Sequence, residues 1–227
     1  MGTSDKLLSL AEQAYDQLHH EILTCALAPG QIVSERELAR RFEISKTPIR
    51  EALAQTCHDG LMQRLPGRGY MVAPITIKDI QDLFDLRLIL ELTASERAAQ
   101  NSPTTLIAQL KEMSEVSYDL EDPGSHVLFL KANRTFHLTL AEAAGNRRLV
   151  GTLEDLLNQM ERIFHLGLRL RDSSEEMVQE HHEVVTALEN GDVDRARDVI
   201  ARQILASRDR ILEAIMLGDI QSVQVGG

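Results

Sequence analysis

The chain has 227 residues, 43% of them hydrophobic and 26% charged, which is enough for one large or two modest domains with a buried core. No apolar run approaches the roughly 20 residues of a membrane-spanning helix, and the first residues lack the apolar segment of a secretory signal. The two cysteines, Cys25 and Cys57, have no metal-ligand spacing. We therefore expect a cytoplasmic protein with reduced thiols and no membrane partner.

The net charge of −11 argues at first against a nucleic-acid partner, but the charge is unevenly distributed. Residues 1–76 contain eight Lys or Arg and nine Asp or Glu, whereas the remainder contains sixteen and twenty-six. The first part is therefore near neutral, and its cations can still form one basic face for DNA. These cations are Arg36, Arg40, Arg41, Lys46, Arg50, Arg64 and Arg68.

The first 75 residues begin with two predicted helices. Apolar residues at three- and four-residue spacing predict a helix over residues 7–22, and Pro29-Gly30 predicts the turn after it. Residues 31–33 fit a very short strand. Ser34, with Glu37 three residues later, is typical of a capping box, so we expect the second helix to begin at Glu35.

A third helix and a hairpin follow the turn at residues 43–44. Ser45 or Thr47 is expected to cap this helix, and Pro48 is tolerated because first-turn amides have no intrahelical partner. Cationic and hydroxyl side chains beside such free amides are what phosphate and base recognition require. Strands at residues 61–65 and 70–73 are expected to pair around a glycine-rich tip. This order of elements predicts a winged helix-turn-helix that binds DNA.

The sequence SERELARRFEISKTPIREAL, followed by a Gly-Leu and an Arg-Gly pair, resembles the DNA-binding domain of GntR-family bacterial transcription regulators over residues 14–73. The resemblance implies operator contacts from the second helix's first turn, the head of the recognition helix and the wing. The matching residues are Arg36, Ser45, Lys46, Thr47, Arg50, Arg68 and Gly69. Lys46 stands where arginine is usual, and lysine contributes affinity rather than the bidentate recognition of guanine.

The region after the wing is predicted to be almost entirely helical. Pro74 ends the last wing strand, which predicts a DNA-binding domain at residues 1–75, a second domain at 76–218 and a tail at 219–227. Six helical segments with short connectors predict an all-α bundle and a mainly α fold class. These segments are residues 77–101, 104–120, 123–144, 147–170, 174–190 and 193–216.

Three segments, residues 84–99, 133–149 and 181–197, resemble the FadR-type C-terminal ligand-binding domain (FCD) that occurs with this DNA-binding domain. The resemblance implies a bundle that binds a small effector, with organic acids as the favoured class. In many members an Asp or Asn four residues before a His joins two later histidines to bind a divalent metal. The matching positions here are Asn133, His137, His181 and Gln203.

These positions leave a metal site and a metal-free effector pocket as alternatives. Residues four apart share a helix face, and imidazoles with an oxygen ligand suit zinc, nickel or manganese. The candidate metal ligands are therefore Asn133, His137 and His181. However, Asn133 carries no charge, and Gln203 is a poor ligand for a transition metal. In the metal-free alternative the two histidines are hydrogen-bonded groups inside the bundle.

Two further groups of charges interrupt the predicted helices. Arg87 and Glu91, four residues apart, predict an ion pair that stabilises the bundle, with a contact from Arg87 to the effector as the alternative. His165 lies between two arginines and is a weaker candidate for anion binding. Ordinary surface charge is the simpler interpretation of those arginines, Arg162 and Arg169.

Together these features predict a ligand-responsive transcription regulator and not an enzyme. A homodimer is expected to bind a palindromic double-stranded operator, with a metabolite in the bundle shifting the DNA-binding domains. One alternative is a metal-dependent enzyme that uses His137, His181 and His182, but an HExxH motif starting at His182 fails because residue 186 is Thr. The other alternative is an architectural DNA binder without an effector.

Overall fold

The computed structural model describes residues 8–101, 104–119, 121–170, 172–217 and 223–224. Within these ranges the chain forms two compact units, residues 8–76 with 223–224, and residues 77–217. The fold is mainly α, as the sequence predicts. In the described ranges, no helix combines the length and the apolar composition needed to cross a bilayer.

The first unit is a small helical domain with a three-stranded antiparallel sheet in the order β1-β3-β2. Its core contains Leu18, Leu38, Ile49 and Leu53, each fully buried. A separate parallel pair joins β4 to β5. The elements are α1 (Leu10–Leu23), β1 (Ile32–Val33), α2 (Glu35–Arg41), α3 (Lys46–His58), β2 (Met62–Leu65), β3 (Gly69–Val72), β4 (Ile75–Thr76) and β5 (Val223–Gln224).

Helix starts in the first unit are only partly as predicted. The full capping box lies at α1, where Ser9 and Glu12 exchange hydrogen bonds of 2.7 and 3.2 Å. At α2 the Ser34 hydroxyl accepts a bond from the Glu37 amide at 3.1 Å. Among the described bonds, no return bond from the Glu37 side chain completes the box. The predicted start of α2 at Glu35 is confirmed all the same.

The second unit is the predicted all-α bundle. In it α4 packs along α9, α6 along α7 and α8 along α9. Packing between α7 and α9 is close, because a Cβ added at Gly167 would lie 2.8 Å from Ile211 Cγ1. The helices are α4 (Ile77–Gln100), α5 (Thr104–Ser114), α6 (Pro123–Ala143), α7 (Arg147–Leu170), α8 (Ser174–Glu189) and α9 (Val193–Leu217).

Helix α5 is shorter than the sequence predicts, since it ends at Ser114 rather than near residue 120. The cause is Tyr118, which is buried and packs its ring against Phe129 at 4.9 Å between centroids. Its hydroxyl accepts a 2.7 Å hydrogen bond from the amide of Ser173. Burying this ring and bonding this amide outweigh the helical propensity of the segment.

The predicted C-terminal tail is only partly covered by the described residues. Val223 and Gln224 pair in parallel with Ile75 and Thr76, so this part of the tail belongs to the first unit. The other residues of the predicted tail from 219 onwards lie outside the described ranges.

Candidate DNA-binding face and effector pocket

Helix α3 is anchored by one face and exposes the other. Ile49, Ala52, Leu53 and Thr56 are all at most 1% exposed and fix the helix on the core of the first unit. The opposite face therefore carries the polar side chains that sequence analysis assigned to DNA. Six of the predicted contact residues are exposed, Arg36, Ser45, Lys46, Thr47, Arg50 and Arg68, and Gly69 is half-buried.

The amino end of α3 has no side-chain cap. Ser45 holds the cap position, as one of the two predicted cap residues, with extended backbone angles, but its hydroxyl makes no capping bond. Among the described residues, the amides of Lys46 and Thr47 have no hydrogen-bond acceptor. Free amides at a helix start favour an anion, and a phosphate is the anion that DNA supplies.

Glu35 links three parts of the first unit that carry predicted DNA contacts. Its carboxylate accepts a 2.6 Å bond from Arg50 Nε on α3 and a 3.3 Å bond from the Tyr70 hydroxyl on β3. The Arg50 bond, opposed by partial burial, holds the pKa of Glu35 below its usual value. Sequence reasoning missed Glu35 and Tyr70, because they lie 15 and 20 residues from Arg50 in the chain.

Gly69 has a backbone reason to be glycine. Its φ is +109°, and a Cβ at this position would lie only 2.4 Å from the carbonyl oxygen of Val33. A side chain would therefore both strain the backbone and push β3 away from β1. The wing keeps its shape through this close approach, which is independent of any DNA contact by Gly69.

The second unit contains a buried ion-pair network that joins α4 to α6. Arg87 Nε donates to Glu91 at 2.6 Å, which confirms the predicted ion pair, and His137 Nδ1 lies 2.5 Å from the other carboxylate oxygen. Arg87 Nη2 lies 2.8 Å from His137 Nε2. All three residues are at most 2% exposed. Every polar contact in this triangle is therefore made without water.

The proton positions in this network follow from its geometry. Arg87 is always a donor, so His137 Nε2 accepts and Nδ1 carries the proton that it donates to Glu91. Burial lowers the pKa of His137 and keeps the ring neutral. Burial, the largest single influence, would raise the pKa of Glu91, but the interactions with Arg87 and His137 together outweigh it and hold the pKa at about 2. The network is thus a single ion pair bridged by a neutral imidazole.

His181 and Gln203 are buried polar groups that lack partners. His181 is 1% exposed, and neither ring nitrogen has a hydrogen-bond partner; the Oε1 atom of Gln203, 4% exposed, has none either. The His181 ring lies 4.2 Å from Phe136 and 5.6 Å from His137, between centroids. Burial lowers the pKa of His181 well below its usual value, so this ring is neutral.

The candidate metal ligands do not fit a metal in this arrangement. In the described part of the chain, no three His, Cys, Asp or Glu side chains lie close enough to bind one ion. A metal also needs a free imidazole lone pair, whereas the lone pair of His137 Nε2 faces the permanent cation Arg87. In this arrangement His137 is hydrogen-bonded and His181 is unpartnered, and the metal set of Asn133, His137 and His181 stays a prediction.

Asn133 lines a cavity of about 300 Å³ between α6 and α7. The cavity is also lined by Lys131, Arg134, Glu161 and Phe164, so it has both charged and aromatic walls. His165 belongs to the same lining and is only 5% exposed. The surface-charge interpretation is wrong for Arg162, which is 8% exposed. The side chain of Arg169 lies outside the described residues.

A winged helix-turn-helix unit followed by an all-α unit with buried polar side chains is the architecture of a two-part DNA-binding regulator. The chain belongs to the gntR family of bacterial regulatory proteins: the model of that family matches residues 10–72. The model of the FCD domain matches residues 82–206, which cover most of the helical unit.

Relatives and solved structures agree with this assignment. A regulator of Streptomyces ambofaciens encoded in an unstable DNA locus is 28% identical over 201 residues, covering 87% of this chain and 83% of the relative. The repressor RspR of Escherichia coli is 25% identical over 193 residues and covers 85% of each chain. The structure of E. coli McbR/YncC has a TM-score of 0.65 at 23% identity, covering 92% of this chain and 100% of that one.

These matches settle the class of the protein. Both family models and these curated relatives are of transcription regulators, which confirms the prediction of a regulator rather than an enzyme. The likeness to McbR/YncC shows the fold alone.

Proposed function

We propose that the protein is a ligand-responsive transcription repressor that binds a palindromic operator as a homodimer. It would act in the cytoplasm, where bacterial DNA lies. The observation that carries this proposal is the exposed, uncapped start of α3, which offers free amides next to Lys46, Thr47 and Arg50. Repression is the direction that the name of RspR gives for that relative.

The proposed DNA contacts are of two chemical kinds, contacts to phosphate oxygens and contacts to base edges. The Lys46 and Thr47 amides and side chains suit phosphate oxygens, which set affinity and register. Arg50, with its guanidinium exposed beside them, suits the major-groove edge of guanine. Arg36 in the first turn of α2 adds a phosphate contact, and Arg68 at the wing tip reaches a neighbouring groove. Two such units related by a twofold axis require an operator with two related half-sites.

The DNA part is tested with Arg50→Ala on a duplex selected from a random library by the wild-type protein. We expect operator binding to fall at least tenfold in a gel-shift titration, with dimerisation unchanged in sedimentation analysis. Arg97→Ala is the control, because it removes an exposed arginine of α4 that lies outside the DNA-binding unit and has no assigned DNA contact. Equal affinities of wild type and Arg50→Ala would contradict the recognition-helix assignment.

The effector would be a small hydroxylated organic acid bound inside the helical unit. A neutral His181 offers one donor and one acceptor, and Gln203 offers an unpaired acceptor. A hydroxyl group both donates and accepts, so it satisfies these groups better than a carboxylate, which only accepts. The carboxylate of the acid would instead meet the remaining donors of Arg87 or the amide of Asn133. Such binding repays the cost of leaving these polar atoms buried and unpaired.

A response to the effector requires that it binds one arrangement of the dimer more tightly than another. Binding in the helical unit would then change the spacing of the two DNA-binding units, and by reciprocity operator binding would change effector affinity by the same factor. An architectural DNA binder without an effector would show no such coupling.

The effector part is tested by thermal unfolding with a panel of sugar acids, hydroxy acids and dicarboxylic acids. We expect at least one acid to raise the melting temperature of the wild type, because a ligand that binds only the folded state stabilises it. The shift should be lost in Gln203→Leu and kept in Gln159→Leu, an exposed glutamine of α7. An unchanged shift in Gln203→Leu would contradict this pocket, and no shift with any acid would favour the architectural alternative.

A further inference from the structure

The DNA-binding unit contains an acidic residue at the point where its predicted contacts converge. Glu35 is the first residue of α2, next to Arg36, and binds Arg50 of α3 at 2.6 Å. It also accepts a 3.3 Å bond from Tyr70, the residue that follows Gly69 in β3. An acidic side chain on a DNA-binding face repels phosphate, so its presence there needs a specific reason.

We propose that Glu35 is a positioning residue that orients Arg50 for base recognition, and that Tyr70 holds Glu35 in place. This inference rests on the proposed function, in which Arg50 contacts the operator. Glu35 and Tyr70 themselves would touch no base. Their effect is on sequence selectivity, through the direction in which the Arg50 guanidinium points.

The atoms used by Glu35 leave the recognition end of Arg50 free. The carboxylate takes Nε, while Nη1 and Nη2 have no hydrogen-bond partner among the described residues. Bidentate contact with guanine O6 and N7 needs two parallel donors with a fixed direction. The Arg50 side chain is 62% exposed, so without the Nε bond it would sample many rotamers and lose more entropy on binding.

Tyr70 supplies the rigid end of this chain of bonds. Its ring is 9% exposed and belongs to the core of the first unit, with its backbone paired to Val33 and Arg64. Burial and the nearby Glu35 charge raise the pKa of Tyr70, so its hydroxyl stays protonated and donates. The side chain of Arg50 is thereby connected through Glu35 to a residue that cannot move independently of the sheet.

Charge alone predicts the opposite effect of removing Glu35, which makes the inference testable. Loss of one negative charge from the DNA-binding face should strengthen binding to DNA of any sequence. Loss of a positioning residue should weaken binding to the selected operator and blur the base that Arg50 reads. A variant that gains non-specific affinity while it loses selectivity therefore separates positioning from electrostatics and from simple unfolding.

The experiment is selection of random 30-base-pair duplexes by the full-length protein, followed by sequencing and by affinity measurement on the selected and a scrambled duplex. The variants are Glu35→Ala, Glu35→Gln and Tyr70→Phe, each checked for folding by circular dichroism. Glu37→Ala is the matched control, because it removes an exposed carboxylate from the same turn of α2, and no described bond joins Glu37 to Arg50. Arg50→Ala identifies the base pair that Arg50 reads.

We expect Glu35→Ala to lose about tenfold in the ratio of selected to scrambled affinity, with the loss confined to the base pair identified by Arg50→Ala. Glu35→Gln keeps an acceptor for Nε and should recover part of the ratio, and Tyr70→Phe should lose less than Glu35→Ala. A wild-type motif and ratio retained in Glu35→Ala would overturn the inference but leave the proposed function intact. If Glu35→Ala does not fold, an unchanged motif in Tyr70→Phe overturns it instead. Failure of the wild type to enrich any motif would overturn both.

Discussion

Arg87 Nη2 lies 2.8 Å from Nε2 of His137, so a guanidinium occupies the lone pair that a metal ion would otherwise need. Arg87 therefore places a permanent positive charge at the position where a metal ion would bind His137. Glu91 balances this charge, and the network needs no external cation. Buried polar atoms of His181 and Gln203 still lack partners, and these atoms need hydrogen bonds rather than an opposite charge.

Removing the negative charge of Glu91 from this network should lower the stability of the protein strongly. Glu91→Gln keeps the shape of the side chain but leaves Arg87 buried without a counter-charge, so we expect a loss of about 3–5 kcal/mol in the free energy of unfolding. Urea denaturation measures this loss. Asp82→Asn is the control, because it removes the acidic partner of Lys78 at the same spacing on the exposed side of α4, and should change stability little. Similar losses in both variants would contradict a special role for burial.

The buried histidines should make the protein less stable in mild acid. The pKa values of His137 and His181 lie below 6.5 in the folded chain, so below about pH 6.5 the unfolded chain binds protons that the folded chain does not. The free energy of unfolding should therefore fall from pH 7 to pH 5. His181→Phe should flatten this fall, and the exposed His58→Gln should not. Equal pH slopes in all three proteins would rule out the neutral assignment of His181.

Protonation of Glu91 should destabilise the protein at a lower pH than protonation of the two histidines does. Its pKa is about 2 in the folded chain against 4.5 ordinarily, so its ionised form adds stability above pH 4.5 that is lost as the pH falls toward 2. Unfolding free energies of wild type and Glu91→Gln, compared between pH 6 and pH 3, should converge as the pH is lowered. A constant difference across this range would speak against a depressed pKa.

The buried, unpartnered acceptor of Gln203 should lower the stability of the protein. Gln203→Leu removes a buried acceptor that has no partner, so we expect the free energy of unfolding to stay equal or to rise by about 1 kcal/mol. The measurement is urea denaturation in the absence of organic acids. A loss of more than about 2 kcal/mol would indicate that Gln203 already has a satisfied role in the empty protein.

The wing offers a comparison between two glycines. Gly69→Ala should destabilise the first unit more than Gly67→Ala, because both have positive φ but only Gly69 would bring a Cβ against the backbone of Val33. The left-handed conformation alone costs about 1–2 kcal/mol, and the contact with Val33 adds to it. Thermal unfolding of the two variants measures the difference, and equal losses would contradict the steric argument.

Periodicity and turn residues predict the fold well, because most helices here end at local signals. The short connectors alone correctly predict that α7 begins at Arg147 and that α8 begins at Ser174. The end of α5 is missed, since it depends on Tyr118 packing against residues on α6 and on a bond to Ser173, 55 residues away. Such tertiary contacts leave no trace in the local pattern.

The sites are predicted less completely than the fold. The four-residue spacing of Arg87 and Glu91 correctly predicts their ion pair, but the contact with His137 crosses 50 residues and has no local signal. In contrast, the local sequence does indicate that Arg162 and His165 are buried. The neighbouring apolar residues Ile163, Phe164 and Leu166 lie on several sides of α7 and indicate a helix surrounded by its bundle.

Under the proposed function, the absence of a capping bond from Ser45 would let DNA complete the start of helix α3. In the free chain the Ser34 hydroxyl accepts a bond from the third amide of α2, that of Glu37, whereas at α3 no side chain accepts a bond from the amides of Lys46 and Thr47. Under the proposed function a backbone phosphate would accept bonds from these two amides, so the start of α3 would gain hydrogen bonds when the protein binds DNA. Amide exchange at Lys46 and Thr47 should then slow in the complex while exchange at Glu37 stays nearly unchanged, and equal slowing at all three would point to general shielding instead.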